Sequence, residues 1–383
     1  MNDIRISGFC DPKFAAVEDA FRRNMTEGDP DCGDELGACV SIVVNGEPVV
    51  DLWSGYADAA RTRPWERDTV TCMMSVTKAC AAVTLLSLID RGVVSMDDKV
   101  SDHWPGFSGD GKEEMSVRTL ISHQSGVIYA DAAPAGSLWD GVSVERALEA
   151  ATPEWRPGTG GAYHSFTYGP LMNALIRHAD GRDVGTVWRE DIAEPFGLDF
   201  QIGLNDAEAE RRAEFVETPG TPSRDGIKGV TDSPLLRAWR PMPRDEDFNS
   251  DDWVHNQFAS ANGHGNARAI ARLYGGLANG GRIEGKTLLS ADLIVDAISE
   301  HWDDLDRMTN RPFRFSCGFM LSCPPFPFGG HRDNFGHTGI GGAVGFGDPF
   351  RHLGFSYCGN RMAPIADLGP FAPPMIDAMY EAV

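Results

Sequence analysis

The sequence is poor in lysine and contains no long apolar run. Six of its 383 residues are lysines, and 28 arginines supply most of the positive charge. The formal net charge of −22 argues against nucleic acid and anionic membranes as partners. No stretch approaches the ~18 consecutive apolar residues of a membrane span. The N-terminus has no hydrophobic signal core, so we expect a cytoplasmic protein.

Several common functional motifs are also missing. The sequence contains no C-x-x-C pair, no H-E-x-x-H, no G-x-S-x-G elbow and no G-x-G-x-x-G. These absences argue against the usual zinc, α/β-hydrolase and dinucleotide sites. The eight cysteines lie mostly in apolar stretches, which predicts reduced, buried thiols. We therefore expect neither a metal nor an organic cofactor.

Residues 76–89 are apolar or small at nearly every position, which predicts a buried helix. Ser75 precedes this helix as a favoured cap, and Gly92 follows it, where a left-handed residue is common. Lys78 is out of place, because a buried ammonium costs several kcal/mol unless it is paired or deprotonated. A serine three residues before a desolvated lysine shares its helical face and can become a nucleophile. The alternative is a lysine that snorkels to the surface.

The remaining pattern predicts a sheet assembled from both ends of the chain. A hairpin with an Asn45-Gly46 turn is expected near the N-terminus, and strands with alternating apolar residues near the C-terminus. Residues 195–264 are polar and proline-rich, and we expect little regular structure there. The predicted elements are helices at 13–25, 116–126, 144–151, 168–178, 267–278 and 374–382, the hairpin at 38–55, and strands at 315–321, 342–346 and 353–358.

Two later glycine-rich stretches can supply partners for Ser75. Residues 155–161 form a loop that delivers Tyr163, followed by His164 and Ser165. Acyl transfer requires a nucleophile, a base and two N–H donors for the developing oxyanion. Lys78 and Tyr163 are the candidates for proton transfer, and Ser75 supplies one N–H donor at its helix N-terminus.

The second glycine-rich stretch, residues 335–342, enters a predicted strand. Glycines there let backbone N–H groups approach a substrate closely. The stretch contains His337, Gly339 and Ile340. A backbone N–H just after Gly339 is the candidate for the second oxyanion donor.

This ordered set of motifs resembles the serine β-lactamase and penicillin-binding-protein superfamily. It is most similar to the class C β-lactamase-like esterases, called family VIII carboxylesterases, and the resemblance includes the Leu120-Ile-Ser-His-Gln-Ser-Gly126 signature. The resemblance implies that Ser75 is the acylated nucleophile and that Lys78 keeps it activated. It implies that Tyr163 is the general base, which later protonates the leaving alcohol, and that the Ile340 N–H is the second oxyanion donor.

Two departures from the class C pattern bear on the substrate. Tyr163-His164-Ser165 stands where those enzymes have Tyr-x-Asn, and His337-Thr338-Gly339 stands where they have Lys-Thr-Gly. A permanent cation at the second motif would pair with a substrate carboxylate, whereas histidine, with an ordinary pKa of about 6.5, is mostly neutral at pH 7. Both departures resemble the esterase branch. His164 and His337 can also be purely structural.

The expected fold is an α/β, β-lactamase/DD-peptidase-like fold with an antiparallel sheet flanked by helices and a mainly helical second domain. We expect residues 1–70 and 265–383 to form the sheet domain and residues 71–264 the helical domain. The expected function is hydrolysis of small carboxylic esters, with a small-molecule ester as partner. His337, Gly339, Ser165 and His164 are the candidate substrate-binding residues. The alternatives are a β-lactamase or D-amino-acid amidase or peptidase, an acyltransferase, and a non-catalytic binding scaffold.

Overall fold

The computed structural model describes residues 5–30, 32–218, 233–244, 246–363 and 368–383. Within these residues a nine-stranded antiparallel sheet forms the centre of the fold. Its strand order is β1-β3-β2-β15-β14-β13-β12-β11-β10. The strands are β1 Ser7–Cys10, β2 Gly37–Val44, β3 Glu47–Gly55, β10 Trp302–Leu305, β11 Pro312–Phe315, β12 Met320–Leu321, β13 Phe335–Thr338, β14 Val344–Asp348 and β15 Leu353–Gly359.

Among the described residues, seven short strands lie outside the large sheet. They are β4 Thr71–Cys72, β5 Phe200–Ile202, β6 Val216–Glu217, β7 Gly263–Gly265, β8 Arg282–Ile283, β9 Lys286–Thr287 and β16 Arg361–Met362. The α-helices are Ala15–Thr26, Thr77–Asp90, Val100–His103, Val117–Ile121, Gly141–Ala150, Tyr168–Asp180, Val184–Val187, Glu194–Phe196, Asp206–Glu210, Pro234–Ala238, Asp251–His255, Ala267–Ala278, Ala291–Ala297 and Ala372–Ala382. Pro12–Phe14 and Met74–Val76 are 3₁₀ turns, and Trp188–Ala193 is π-helical.

The sheet is built from both ends of the chain, as its sequence pattern predicts. The predicted hairpin is confirmed: β2 and β3 pair around Asn45 and Gly46, whose φ angles of 52° and 84° suit the tight turn. The prediction of one strand over 315–321 is wrong. Gly318 has a φ of 86°, and the chain turns back there, so that Phe315 in β11 pairs with Met320 in β12.

Helices cover both faces of the sheet. The helix Ala267–Ala278 packs on one face, where a Cβ on Gly354 would lie 2.2 Å from the Gly275 nitrogen, so this contact requires glycine. The first helix, Ala15–Thr26, and the last, Ala372–Ala382, pack on the other face around Phe21 and Met375. The predictions of these three helices are confirmed to within two residues.

The prediction that residues 195–264 have little regular structure is partly wrong. Within the described residues, β5 and β7 join β4 in a three-stranded sheet, which connects this region to the residues just before the helix Thr77–Asp90. Residues 219–232 and 245, which belong to the same predicted stretch, lie outside the described residues. The small sheet matters for function because it ties residues 71–73 to the segment around Gly263.

On the face covered by the helix Ala267–Ala278, the core of the sheet and the core of the middle helices form one apolar cluster. This cluster contains Leu85 of the helix Thr77–Asp90, Leu175 of the helix Tyr168–Asp180 and Ile270 of the helix Ala267–Ala278. The division into two domains at residues 71 and 264 stays a prediction. Among the described residues, no helix is both long enough and apolar enough to cross a membrane.

Candidate active site

Ser75 lies in a 3₁₀ turn immediately before the buried helix Thr77–Asp90. The prediction that Ser75 caps this helix is therefore wrong, because the helix begins two residues later. The Met73 N–H donates to the Gly263 carbonyl at 2.9 Å, and the Thr77 hydroxyl donates to the Met74 carbonyl at 2.6 Å. Met74 has a φ of 47°, a left-handed conformation that is rare for residues other than glycine. Strain of this kind is concentrated at functional sites.

Lys78 is fully buried one turn after Ser75. Its Nζ lies 3.1 Å from Ser75 Oγ and donates to the Ser260 carbonyl oxygen at 2.7 Å. Burial lowers the pKa of Lys78 well below its ordinary value. The predicted pairing of a serine with a desolvated lysine is therefore present, and the snorkelling alternative is excluded.

Ser260 holds the lysine, and the sequence analysis missed it. Its hydroxyl donates to the Phe166 carbonyl at 2.6 Å and accepts the Gly169 N–H at 2.7 Å. Its carbonyl oxygen is thus fixed on Lys78 by contacts to the segment that follows Tyr163. No local sequence pattern distinguishes this serine, because only the folded chain brings residue 260 to residue 78.

Tyr163 lies on the other side of Ser75. Its ring centroid is 4.9 Å from Lys78 Nζ, and the ring stacks on Phe313 at 5.9 Å. Burial and, to a smaller extent, the charge of Asp306 raise the pKa of Tyr163, while a hydrogen bond with the Ser75 side chain opposes the increase. The structure therefore brings the three predicted catalytic side chains into one cluster.

The end of β13 touches the turn that carries Ser75. A Cβ on Gly339 would lie 2.3 Å from the Met73 carbonyl oxygen, so this close approach requires glycine. The predicted geometry needs a correction, because Gly339 and Ile340 lie in a turn after β13 and do not begin a strand. The Gly339 N–H is occupied by the Ala343 carbonyl at 2.7 Å. The N–H groups of Ser75 and Ile340 have no hydrogen bond to any other described residue.

His337 is buried beside Tyr163, with their ring centroids 5.8 Å apart. Its Nδ1 donates to the Thr338 carbonyl at 2.7 Å. Burial and the nearby Lys78 lower the pKa of His337 to about 3. The ring is therefore neutral at pH 7, and this position carries no cation.

His164 and Ser165 have mainly structural contacts. His164 is buried, and both ring nitrogens are occupied, by the Ser125 hydroxyl and the Ala162 carbonyl, each at 2.6 Å. The assignment of His164 to substrate binding is therefore corrected: its ring supports the loop. The Ser165 hydroxyl accepts the Trp239 indole N–H at 3.0 Å. Trp239, which the sequence analysis did not select, is half-buried next to the site.

Among the described residues, no group of three or more histidine, cysteine, aspartate or glutamate residues could hold a metal ion. Seven of the eight cysteines are buried, and Cys10 is half-buried.

Comparison with known proteins agrees with this geometry. A family described as Beta-lactamase matches residues 20–371. The chain belongs to the beta-lactamase family. Membership makes it a serine hydrolase with the β-lactamase fold, and the predicted fold class is confirmed.

Individual relatives cover almost the whole chain. The chain is 32% identical to "Esterase/beta-lactamase LipL" of Mycobacterium tuberculosis over 94% of its length and 83% of the relative. It is similar to the crystal structure of a family VIII carboxylesterase, with 33% identity and a TM-score of 0.88, covering 99% of this chain and 100% of the other. It is also similar to a penicillin-binding protein homolog from Caulobacter crescentus, with 35% identity, a TM-score of 0.90 and the same coverage.

Proposed function

We propose that this beta-lactamase family member hydrolyses small carboxylic esters through an acyl-enzyme on Ser75. The observation that carries the proposal is the 3.1 Å contact between Ser75 Oγ and the fully buried Lys78 Nζ. A lysine whose pKa is strongly lowered can hold a free amine at neutral pH, and a free amine beside a hydroxyl activates it as a nucleophile. The esterase names of two relatives, LipL and EstB of Burkholderia gladioli, support the same activity.

In the acylation step, Ser75 Oγ attacks the ester carbonyl carbon while its proton passes to the Lys78 amine. Lys78 takes the general-base role that the resemblance gives to Tyr163, because the raised pKa of Tyr163 keeps its phenol protonated. The N–H groups of Ser75 and Ile340 donate to the resulting oxyanion. When the tetrahedral intermediate collapses, the C–O bond to the alcohol breaks and the alkoxide takes a proton from Tyr163. The Lys78 ammonium then returns a proton to Tyr163. The raised pKa of Tyr163 favours this role, because the phenol is protonated before the alcohol leaves.

In the deacylation step, water attacks the Ser75 ester and gives one proton to the Lys78 amine. The same two N–H groups stabilise the second oxyanion. Collapse breaks the bond between Ser75 Oγ and the acyl carbon, and Oγ regains its proton from Lys78. The products are one carboxylic acid and one alcohol, and the enzyme returns to its starting state.

We further propose that the preferred esters are uncharged. His337 replaces the lysine of the Lys-Thr-Gly motif, and its low pKa keeps it neutral. The site therefore lacks at this position the cation that pairs with the carboxylate of a β-lactam or a peptide C-terminus. A small-molecule ester is the proposed partner, and the net charge of −22 disfavours nucleic acid and anionic membranes.

The proposal is tested by comparing the wild type with Ser75→Ala on p-nitrophenyl acetate, p-nitrophenyl butyrate and nitrocefin. We expect ester turnover that exceeds nitrocefin turnover and that disappears in Ser75→Ala. Ser87→Ala is the matched control, because Ser87 is a buried serine in the helix that follows Ser75, roughly 15 Å along the axis from the first helical residue, Thr77, at 1.5 Å per residue. This control should retain wild-type activity.

Each other outcome supports a different alternative. Dominant nitrocefin turnover indicates an amide-directed hydrolase, and transfer of the acyl group to an added alcohol in preference to water indicates an acyltransferase. Ester turnover that survives in Ser75→Ala contradicts the mechanism. A wild type that turns over none of the three substrates contradicts the esterase proposal.

A further inference from the structure

The loop that carries Tyr163 has no regular secondary structure to hold it. Residues 161–164 belong to no helix or strand. Buried backbone N–H groups must therefore find acceptors elsewhere. Three consecutive N–H groups do so on two residues that are distant in sequence. The Ala162 N–H donates to the His123 carbonyl at 3.2 Å, the Tyr163 N–H to the Asp306 carboxylate, and the His164 N–H to His123 Nδ1 at 3.1 Å.

His123 has a geometry suited to this contact. It is fully buried, it stacks on Tyr168 at 4.3 Å, and its φ of 62° lies in the left-handed region. Because Nδ1 accepts a backbone N–H, the ring proton must lie on Nε2. Burial, assisted by the neighbouring His164, His337 and Lys78, lowers the pKa of His123 well below its ordinary value. The ring is therefore neutral, and Nδ1 remains available as an acceptor.

The Nε2 atom of His123 argues against a purely packing role. It is buried and has no hydrogen-bond partner among the described residues. A buried donor without a partner lowers stability, and a phenylalanine ring would avoid that cost while keeping the stacking contacts. The Nδ1 acceptor is what phenylalanine would lack.

Asp306 holds the loop from the other direction. It is almost completely buried, and one carboxylate oxygen accepts the Tyr163 N–H. The other oxygen accepts the N–H of Met308 at 3.0 Å, and the N–H and hydroxyl of Thr309 at 2.6 and 2.8 Å. The carboxylate is thus fixed by its own turn and cannot rotate freely away from Tyr163.

We propose that His123 and Asp306 are positioning residues for Tyr163, and we call these two residues the Tyr163 clamp. By holding the N–H groups of residues 163 and 164, the clamp keeps the Tyr163 hydroxyl on Ser75. The inference rests on the proposed function in that Tyr163 transfers a proton during acylation. A displacement of about 1 Å in such a group can reduce turnover about a hundredfold.

Two substitutions at His123 separate the acceptor from the packing. His123→Phe keeps an aromatic ring and removes the acceptor. His123→Asn restores an acceptor, Oδ1, one bond from Cγ as Nδ1 is in histidine, and asparagine tolerates left-handed φ angles. With p-nitrophenyl acetate, we expect kcat per active site to fall about ten- to a hundredfold in His123→Phe and to recover to within about threefold of wild type in His123→Asn. KM should change much less than kcat, because the loop positions a reacting group and does not bind the ester.

Active sites are counted by the covalent adduct formed with p-nitrophenyl diethyl phosphate, and the rate of this labelling is a second readout. The control is His178→Phe, which replaces a histidine stacked on Trp104 at 5.7 Å on the outer side of a middle helix. It should keep wild-type rates. If the turnover and labelling rates of His123→Phe, calculated per labelled site, are within twofold of wild type, the clamp is contradicted. This includes a variant in which the number of active sites falls but the rate of each site does not.

Two further outcomes are covered by the design. If the wild type is labelled but hydrolyses no ester, the esterase proposal fails, and the labelling rates still decide the clamp. If His123→Phe does not fold, Asp306→Asn decides it. Asparagine has only one oxygen, which cannot accept both the Tyr163 N–H and the N–H groups of Met308 and Thr309. The clamp therefore predicts at least about a tenfold decrease in kcat for Asp306→Asn, and a rate within twofold of wild type contradicts it.

Discussion

Lys78→Met should abolish hydrolysis and make the protein more stable. Methionine has the length and unbranched shape of the lysine side chain without its ammonium. Removing the proposed base of both steps should reduce kcat/KM for p-nitrophenyl acetate by at least about a thousandfold. This substitution separates a lysine kept for chemistry from a lysine kept for structure, because the two explanations predict opposite changes in stability.

The magnitude of the stability change follows from the burial of Lys78. Lys78 is fully buried, which lowers its pKa, and taking an ammonium out of water costs several kcal/mol, on the order of 5 kcal/mol. The substitution removes that cost and leaves the Ser260 carbonyl without its donor, which loses about 1 to 3 kcal/mol. A net gain of about 2 to 4 kcal/mol remains. At about 2 cal/mol/K of unfolding entropy per residue, Tm should rise by about 2 to 5 °C.

Calorimetry at pH 7 measures Tm, and the p-nitrophenyl acetate assay measures turnover on the same preparation. Lys112→Met is the matched control, since Lys112 is also buried and its Nζ donates to the Glu149 carbonyl at 2.9 Å, in a part of the chain that does not touch Ser75. Its turnover should be unchanged. A fall in Tm for Lys78→Met, or turnover above about a tenth of wild type, would refute the reasoning.

Three further predictions concern pH and specificity. Burial raises the pKa of Glu35 from 4.5 to about 7, so its contribution to stability is present below pH 4.5 and lost as pH rises through 7. Between about pH 5 and about pH 8, the free energy of unfolding of Glu35→Gln should therefore rise by about 3 kcal/mol relative to that of wild type, as measured by denaturant titration. A difference between the two proteins that does not change with pH contradicts this. Because the pKa of His337 is about 3, this ring should not titrate between pH 5 and 8. The pH profile of kcat/KM should therefore have the same shape in this range in wild type and in His337→Gln. Trp239 is half-buried and its indole N–H donates to the Ser165 hydroxyl, so we expect the exposed part of its side chain to contact the acyl chain. Trp239→Ala should lower the butyrate-to-acetate ratio of kcat/KM about tenfold, whereas Trp139→Ala should leave the ratio unchanged.

The sequence was informative where the chemistry is local. Ser75 and Lys78 are three residues apart on one buried segment, so spacing and apolar context were enough to predict their contact. The Asn45-Gly46 turn and the helix Ala267–Ala278 could be predicted for the same reason, because turn preferences and helical periodicity depend on residues that are close in the sequence.

The parts that were missed depend on long-range contacts. Ser260 and Asp306 act through atoms placed by strands and turns far from Ser75 in the chain, and no local pattern indicates them. His164 was assigned to the substrate because it follows Tyr163, yet the short loop turns its ring toward Ser125. The strand Phe335–Thr338 was not predicted, because Gly336 and His337 leave no alternating apolar pattern in this segment.

The central claim is that Ser75 is the nucleophile, and peptide mass spectrometry tests it most directly. The protein is treated with p-nitrophenyl diethyl phosphate, digested with trypsin and analysed by fragmentation. Arg67 and Lys78 bound the tryptic peptide 68–78, which contains Ser75. We predict one diethylphosphoryl group on Ser75, and none on this peptide from Ser75→Ala. A modification confined to another residue, or an unmodified protein, would contradict the account.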